Sequence, residues 1–261
     1  MSRARNRPPR LEPHVGLQQA VPPPTLEELL SRSHVAGDAA AASPSELRRF
    51  VERAAGDRVH GVPLESAWAS VHDTFGATER EPRIDPFLTI GAACRATARI
   101  SEVASVNARI AFATSVPASL LTFHLALARF ARISGAEVAD EEDSTSMRVD
   151  GRADRHLRWV DGVAVVSDGQ SLSAVRGSEA AMEWLFLIPR PALVIADGPY
   201  ADVAVEAGIE VIALAGLDHC SLAVAPAAGR PSSIVPMWTD RAPAAYRPLL
   251  ERALAGGPPP S

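Results

Sequence analysis

A chain of 261 residues with a formal net charge of −5, 47% hydrophobic and 22% charged residues has material for one large domain or two small ones. Its charge is too mild for whole-molecule attraction to nucleic acid. All 26 basic residues are Arg, and Cys94 and Cys220 are the only cysteines. This composition excludes a Walker A lysine, a Schiff-base lysine, a disulfide framework and a four-cysteine zinc site, but leaves the planar fork of Arg for phosphate or carboxylate.

Residues 1–24 carry Arg3, Arg5, Arg7 and Arg10 and close on Pro22-Pro23-Pro24, with no apolar period and no apolar core of a secretory signal. They read as a disordered tail, and residues 256–261 read as a second one. No apolar run approaches the ~20 residues that span a bilayer, so the expectation is a cytoplasmic protein without a membrane partner. Between the tails, 25–255 reads as a single domain, helical over 25–106 and Rossmann-like over 107–255.

In chain order, Thr25 with Glu28 forms a capping-box signature before Leu29-Leu30. Ser43 or Ser45 then caps a helix with Leu47, Phe50, Val51 and Ala54 on one face. Leu64, Trp68, Val71 and Phe75 recur at helical spacing, and Asp85-Pro86 opens a helix packing through Leu88, Ile90, Cys94, Ala98 and Ile100. Beyond Val106 the period changes. Arg109–Ala113 reads as a strand, Pro117–Ile133 as a helix and Ala136–Ala139 as a short strand. Asp140–Asp143 reads as a solvated acidic loop. Met147–Val149 is a strand, and Leu157–Val166 folds into a hairpin about Asp161-Gly162. A helix over Ser178–Leu187 precedes a strand over Pro191–Ala196, a helix over Ala201–Ala207 stopped by Gly208, and a strand over Glu210–Leu214. Ser233–Val235 is the last strand and Pro243–Ala255 the closing helix.

Continuous apolar strands alternating with helices indicate a mainly parallel sheet covered on both faces. The clearest right-handed crossover units are 109–139 and 191–215. The expected fold is α/β, a Rossmann-like three-layer sandwich with a helical N-terminal layer. Its strand ends would gather Thr114 and Ser115, Asp140–Glu142, Asp197-Gly198 and Asp218-His219, with Asp240 joining through the final loop; parallel sheets bind ligands at such ends. Hydroxyls and helix N–H groups suit phosphoryl oxygens, carboxylates suit a magnesium-type cation or a proton, and His219 supplies acid–base capacity. His124, two turns into its helix, falls on the buried stripe and reads as a core or interface histidine. Cys220 reads as a small buried thiol.

Val35-Ala36-Gly37-Asp38, Ile84-Asp85-Pro86, Phe112-Ala113-Thr114 with Pro117, Leu120-Leu121 with His124, and Pro191 with Leu193-Val194 and Ala196-Asp197 together resemble a family of actinobacterial phosphatases from about Pro24 to Ala255. Typical members show Gly-His-Pro-Gly-Gly where this chain has Ser115-Val116-Pro117-Ala118-Ser119. They show Asp-His-Gly where it has Asp197-Gly198-Pro199, and a paired Asp followed by His where it has Trp238-Thr239-Asp240. The resemblance implies a divergent phosphatase-like hydrolase of a small phosphorylated metabolite. By position the resemblance carries over Thr114, His124 and Asp197; joined to the strand-end reading, Thr114 and Ser115 would bind phosphate, Asp197 and Asp218 would hold a divalent ion such as Mg, and Asp197 and His219 would be catalytic. The rival expectations are an inactive member that binds a ligand or a protein, and a self-associating protein, a homo-oligomer built on the apolar N-terminal helices.

Overall fold

The computed structural model describes residues 23–38, 43–56, 61–141, 147–149 and 151–256. Most of both expected tails, and Glu142 and Asp143 of the acidic loop, lie outside these residues. Helix α1 (Leu26–Arg32) begins at the expected capping box, in which Thr25 Oγ1 accepts from the Glu28 N–H and Glu28 Oε2 accepts from the Thr25 N–H. After β1 (Gly37–Asp38), helix α2 (Pro44–Gly56) is started by Ser43 rather than Ser45, since Ser43 Oγ accepts from the Glu46 N–H. Then come α3 (Leu64–Phe75), β2 (Arg83–Ile84) and α4 (Pro86–Ala104), whose first turn is capped by Asp85 Oδ1 accepting from the Phe87 N–H at 2.8 Å. Leu64 and Ala98, expected on packing faces, are exposed.

The remaining elements are β3 (Arg109–Ala113), α5 (Pro117–Ile133), β4 (Glu137–Val138), β5 (Met147–Val149), β6 (Arg152–Val160), β7 (Val163–Ser167), β8 (Leu172–Ser173), α6 (Glu179–Leu187), β9 (Leu193–Asp197), α7 (Gly198–Glu206), β10 (Val211–Ala215), α8 (Ser221–Val224), β11 (Ser232–Pro236) and α9 (Arg247–Leu254). Helix α7 starts three residues earlier than its apolar pattern, directly at the end of β9. The expected closing helix divides into a 3-10 turn, Pro243–Tyr246, and α9, because Pro248 has no N–H to continue the first ladder. The hairpin between β6 and β7 turns on Asp161 (φ 48°) and Gly162 (φ 82°), both left-handed, as a two-residue hairpin turn requires. A Cβ at Gly162 would also sit 2.6 Å from Arg132 Nη2 and from Val138 Cγ1, so glycine is needed there twice over.

The central sheet runs β11-β10-β9-β3-β7-β6-β5. Strands β11, β10, β9 and β3 are parallel neighbours, and β7 runs parallel to β3; β6 and β5 add an antiparallel wing. This is the α/β sandwich the alternation implied, its strands buried on both sides over Ile110–Ala113, Leu193–Asp197 and Val211–Ala215. Helices α4, α5 and α9 pack together on one side, while α7 packs with α6 and α8. From β3 the chain crosses to β4 on one flank; from β9 it crosses to β10 on the other. A crevice between the C-terminal ends of β3 and β9 follows from that reversal. Short ribbon β1–β2 pairs Gly37 with Ile84 and Asp38 with Arg83. It joins two of the segments that carry the family resemblance, and it was not foreseen because a two-residue strand has no period to read.

Candidate active site

Strand register decides which side chains meet. Ala113 faces Ala196 across β3 and β9, and Asp197 faces Leu214 across β9 and β10. Thr114-Ser115, Asp197-Gly198 and the chain leaving β10 therefore emerge at one level. Asp197 is 1% exposed and is the centre of a bonded group. Its Oδ1 accepts from the Ser115 N–H at 2.7 Å and from Ser115 Oγ at 2.5 Å, and its Oδ2 lies 3.0 Å from His124 Nε2. Burial pushes the carboxyl upward, but the His124 bond, followed by Ser115 and Thr114, outweighs it and leaves the group below its ordinary value. Thr114 Oγ1 also accepts from the Val116 N–H at 3.2 Å, fixing the turn into α5.

His124 is buried, as its position on the apolar stripe implied, but the stripe does not keep it from the strand ends. Helical side chains lean toward the helix N-terminus, so an imidazole two turns into α5 reaches back to Asp197. With Nε2–H donating to the carboxylate, Nδ1 has no hydrogen-bond partner among the described residues. Gly198 (φ 50°) closes the group from the α7 side. A Cβ there would lie 2.6 Å from Ser115 Oγ and 3.8 Å from His219 Nε2, so the hydroxyl and the second imidazole flank the same bare backbone.

His219 follows Asp218 in a 3-10 turn after β10. Its Nδ1 lies 3.2 Å from Asp218 Oδ2, and its side chain is 35% exposed. Burial opposes its charge, yet the Asp218 bond, with Asp202 and Asp197 adding their fields, raises its pKa above the ordinary value. Asp218 is correspondingly lowered, the bond to His219 overcoming burial. His219 lines a cleft of about 410 Å³ with Arg176, Ser178, Pro199, Asp202 and Glu206. There, burial pushes the Asp202 carboxyl up to about 6, with Glu206 adding to it and His219 opposing. Asp202 and Arg176 were not foreseen. A charged residue inside a helix reads as solvated, although Pro199, Asp202, Val203 and Glu206 at i, i+3, i+4 and i+7 do trace one face of α7.

The structure thus brings Thr114, Ser115, His124 and Asp197 into one buried network, with His219 on its rim and Asp218 behind His219. Asp140 and Asp240 stand apart from it. Asp140 pairs with Arg132 at 3.1 Å, and Asp240 is exposed beside Arg241 at 3.5 Å. Cys220 is buried and its thiol is pushed up to about 12, chiefly by burial, which makes it inert. Tyr200, fully buried edge-on to Trp184, is raised by burial and by the Asp197 charge, so its phenol keeps its proton.

A divalent cation fits these donors poorly. Both oxygens of Asp197 are engaged by Ser115 and His124, and Asp218 is bonded to His219. No group of three or more His, Cys, Asp or Glu side chains among the described residues could hold a metal ion. No helix among them is long and apolar enough to cross a membrane.

A mainly parallel sheet with an Asp–Ser–His network at its reversal crevice and an Asp–His pair at the mouth defines an α/β protein with a candidate site at its strand ends. Residues 23–256 match the model of a family described as Phosphatase, and the chain belongs to that family. It is similar to the protein named Phosphatase SCO2771 of Streptomyces coelicolor, with 28% identity over 232 residues, covering 81% of this chain and 87% of that one. The resemblance drawn from the residues, to actinobacterial phosphatases, is borne out. No solved structure matches the chain.

Proposed function

We propose that this protein hydrolyses a small phosphorylated metabolite in the cleft beside α7. The observation that carries this reading is the placement of His219 and Asp202 on one cleft, with Arg176 beside them, and family membership supports it. Arg176 binds the phosphoryl oxygens through its planar fork. Asp202, poised near neutrality, takes a proton from water as the water oxygen bonds to phosphorus. His219, oriented by Asp218, gives its proton to the ester oxygen as the P–O bond breaks, releasing an alcohol and inorganic phosphate. Thr114, Ser115, His124 and Asp197 act as positioning residues that fix the crevice and the α7 N-terminus. No step is routed through a metal.

The test is phosphate release by the full chain from a panel of phosphomonoesters, in EDTA and again with Mg²⁺, Mn²⁺ or Zn²⁺. Turnover in EDTA that His219→Asn lowers at least about a hundredfold, the usual scale of a lost general acid, is the expected result. Absence of turnover across the panel with every ion would sink it. Turnover confined to the metal-supplemented arms would replace the proton route with a metal-assisted one. One observation favours a second reading, binding without turnover: Asp197, which the resemblance places in the chemistry, is sealed inside the fold. Saturable binding of phosphate esters without release would establish that reading.

A further inference from the structure

A second cleft, of about 420 Å³, opens on the antiparallel wing between β5, β6, β7 and β8. Arg152, Arg155, Arg176 and Ser173 line it, with Val149 and Val166 at its base and no carboxylate among its described lining residues. Arg155 is held in place: Nη1 donates to Ser173 Oγ at 2.6 Å and lies 3.0 Å from Asp168 Oδ2, and the side chain is 10% exposed. Asp168 is itself fixed by accepting from the Gln170 and Ser171 N–H groups. This guanidinium is therefore oriented in advance and largely stripped of water, the arrangement in which an arginine binds an anion with least loss of freedom.

Arg176 lines both this cleft and the one holding His219 and Asp202. Charge divides unevenly across the pair. The α7 side of the first cleft bears Asp202 and Glu206, which repel any negative group beyond the one Arg176 and His219 hold. The wing side bears Arg152 and Arg155; Asp168 already balances Arg155, so the unbalanced positive charge there is that of Arg152. Resting on the hydrolytic reading above, we propose that the substrate is a phosphomonoester with a second anionic group, a carboxylate or another phosphate, which Arg152 and Arg155 bind while the scissile phosphoryl lies beyond Arg176. Selectivity would then come from the wing and chemistry from the strand ends, two surfaces joined by one side chain.

The test compares phenyl phosphate with its carboxyphenyl analogue, and a sugar monophosphate with the corresponding bisphosphate, on the full chain. The second anion should raise kcat/KM by about tenfold to a hundredfold, the scale of one charge-assisted bond pair. Arg152→Ala, at an exposed position, should erase that gain and leave phenyl phosphate hydrolysis unchanged. The carboxylate and bisphosphate arms distinguish the two anions. Calorimetric titration of inorganic phosphate and methylene bisphosphonate reads the same preference without turnover. If nothing is hydrolysed, the hydrolytic reading fails, yet tighter bisphosphonate binding sensitive to Arg152→Ala still supports the wing site. Equal kcat/KM and equal affinity with and without the second anion in the wild-type protein, or a preference that survives Arg152→Ala, overturns it.

Discussion

Asp197 has a carboxylate with three donors and almost no water, so its partners cannot be removed cheaply. Taking a donor away from a buried carboxylate leaves that charge short of a hydrogen bond, at about 3 kcal/mol or more. His124→Ala should therefore lower the melting temperature by roughly 10 °C or more, and a shift of under about 3 °C in calorimetry would mean the bond contributes little. Asp197→Asn keeps the shape but sets an amide N–H against the His124 Nε2–H. Relief requires the other tautomer, which places an N–H on the partnerless Nδ1, so this near-isosteric change should still destabilise clearly. The pH sign follows from the same bonds. Asp197 is depressed in the folded state, so its contribution is complete above the unfolded carboxyl value and is lost as pH falls through the folded one. Wild-type stability should drop more steeply in acid than that of Asp197→Asn, which lacks the titrating group. Gly198→Ala meets two penalties, a left-handed backbone and a Cβ 2.6 Å from Ser115 Oγ. Combining it with Ser115→Ala removes the second, so the double variant should be less destabilised than the sum of the singles by denaturant unfolding; simple additivity would rule out the contact.

Helix α7 organises the site because it begins directly at the end of β9. Its first residue closes the buried network, and its second turn carries Asp202 into the cleft. Asp202, raised to about 6, must lose its proton to act as base, while His219, raised above 6.5, must keep its own. Activity should therefore follow a bell in pH, with an acid limb near 6 and an alkaline limb above 6.5. Asp202→Asn should lower kcat and flatten the acid limb; an unchanged acid limb in that variant would exclude Asp202 as the base. The sequence disclosed this element only in part. Strand β9 and the helix after it were readable because Leu193–Ala196 is continuously apolar and Gly208 stops the helix. The start at Gly198 was not, since Gly198-Pro199 reads as a turn until the sheet holds it. Thr114, Ser115, Asp197, Asp218 and His219 were readable as strand ends because polar residues directly follow apolar runs. Their division into a sealed network and an open rim depends on which helix crosses which face, and no local spacing encodes that. Arg176 lies in irregular chain after β8, where side-chain direction has no period at all.

The N-terminal helices and the sheet are stitched together by bonds that cross most of the chain length. Thr89 Oγ1 donates to the Pro236 carbonyl at 2.6 Å, and Thr97 Oγ1 to the Ala253 carbonyl at 2.9 Å. Arg99 forks onto both oxygens of Glu210 at 2.7 and 2.8 Å. The Trp238 N–H donates to the Val35 carbonyl, and Arg241 Nε to the His34 carbonyl, each at 2.9 Å. Helix α4 meanwhile buries Ile90, Cys94, Ile100 and Val103 in the shared core. A separable helical unit would leave that face bare and give up all of these bonds, about 1 kcal/mol net apiece, a sum that is large against the 5–15 kcal/mol that holds a typical domain. The chain should therefore unfold in one step. Trp68 reports on α3, Trp159 on the wing, Trp184 on α6 and Trp238 on the β11 exit, so variants retaining a single tryptophan should share one urea midpoint with the far-ultraviolet dichroism. A fragment spanning 107–261 should lack near-ultraviolet dichroism and expose apolar surface. Two resolved midpoints, with Trp68 departing from the other three, would show instead that the helical part folds on its own and that the crossing bonds join two units rather than define one.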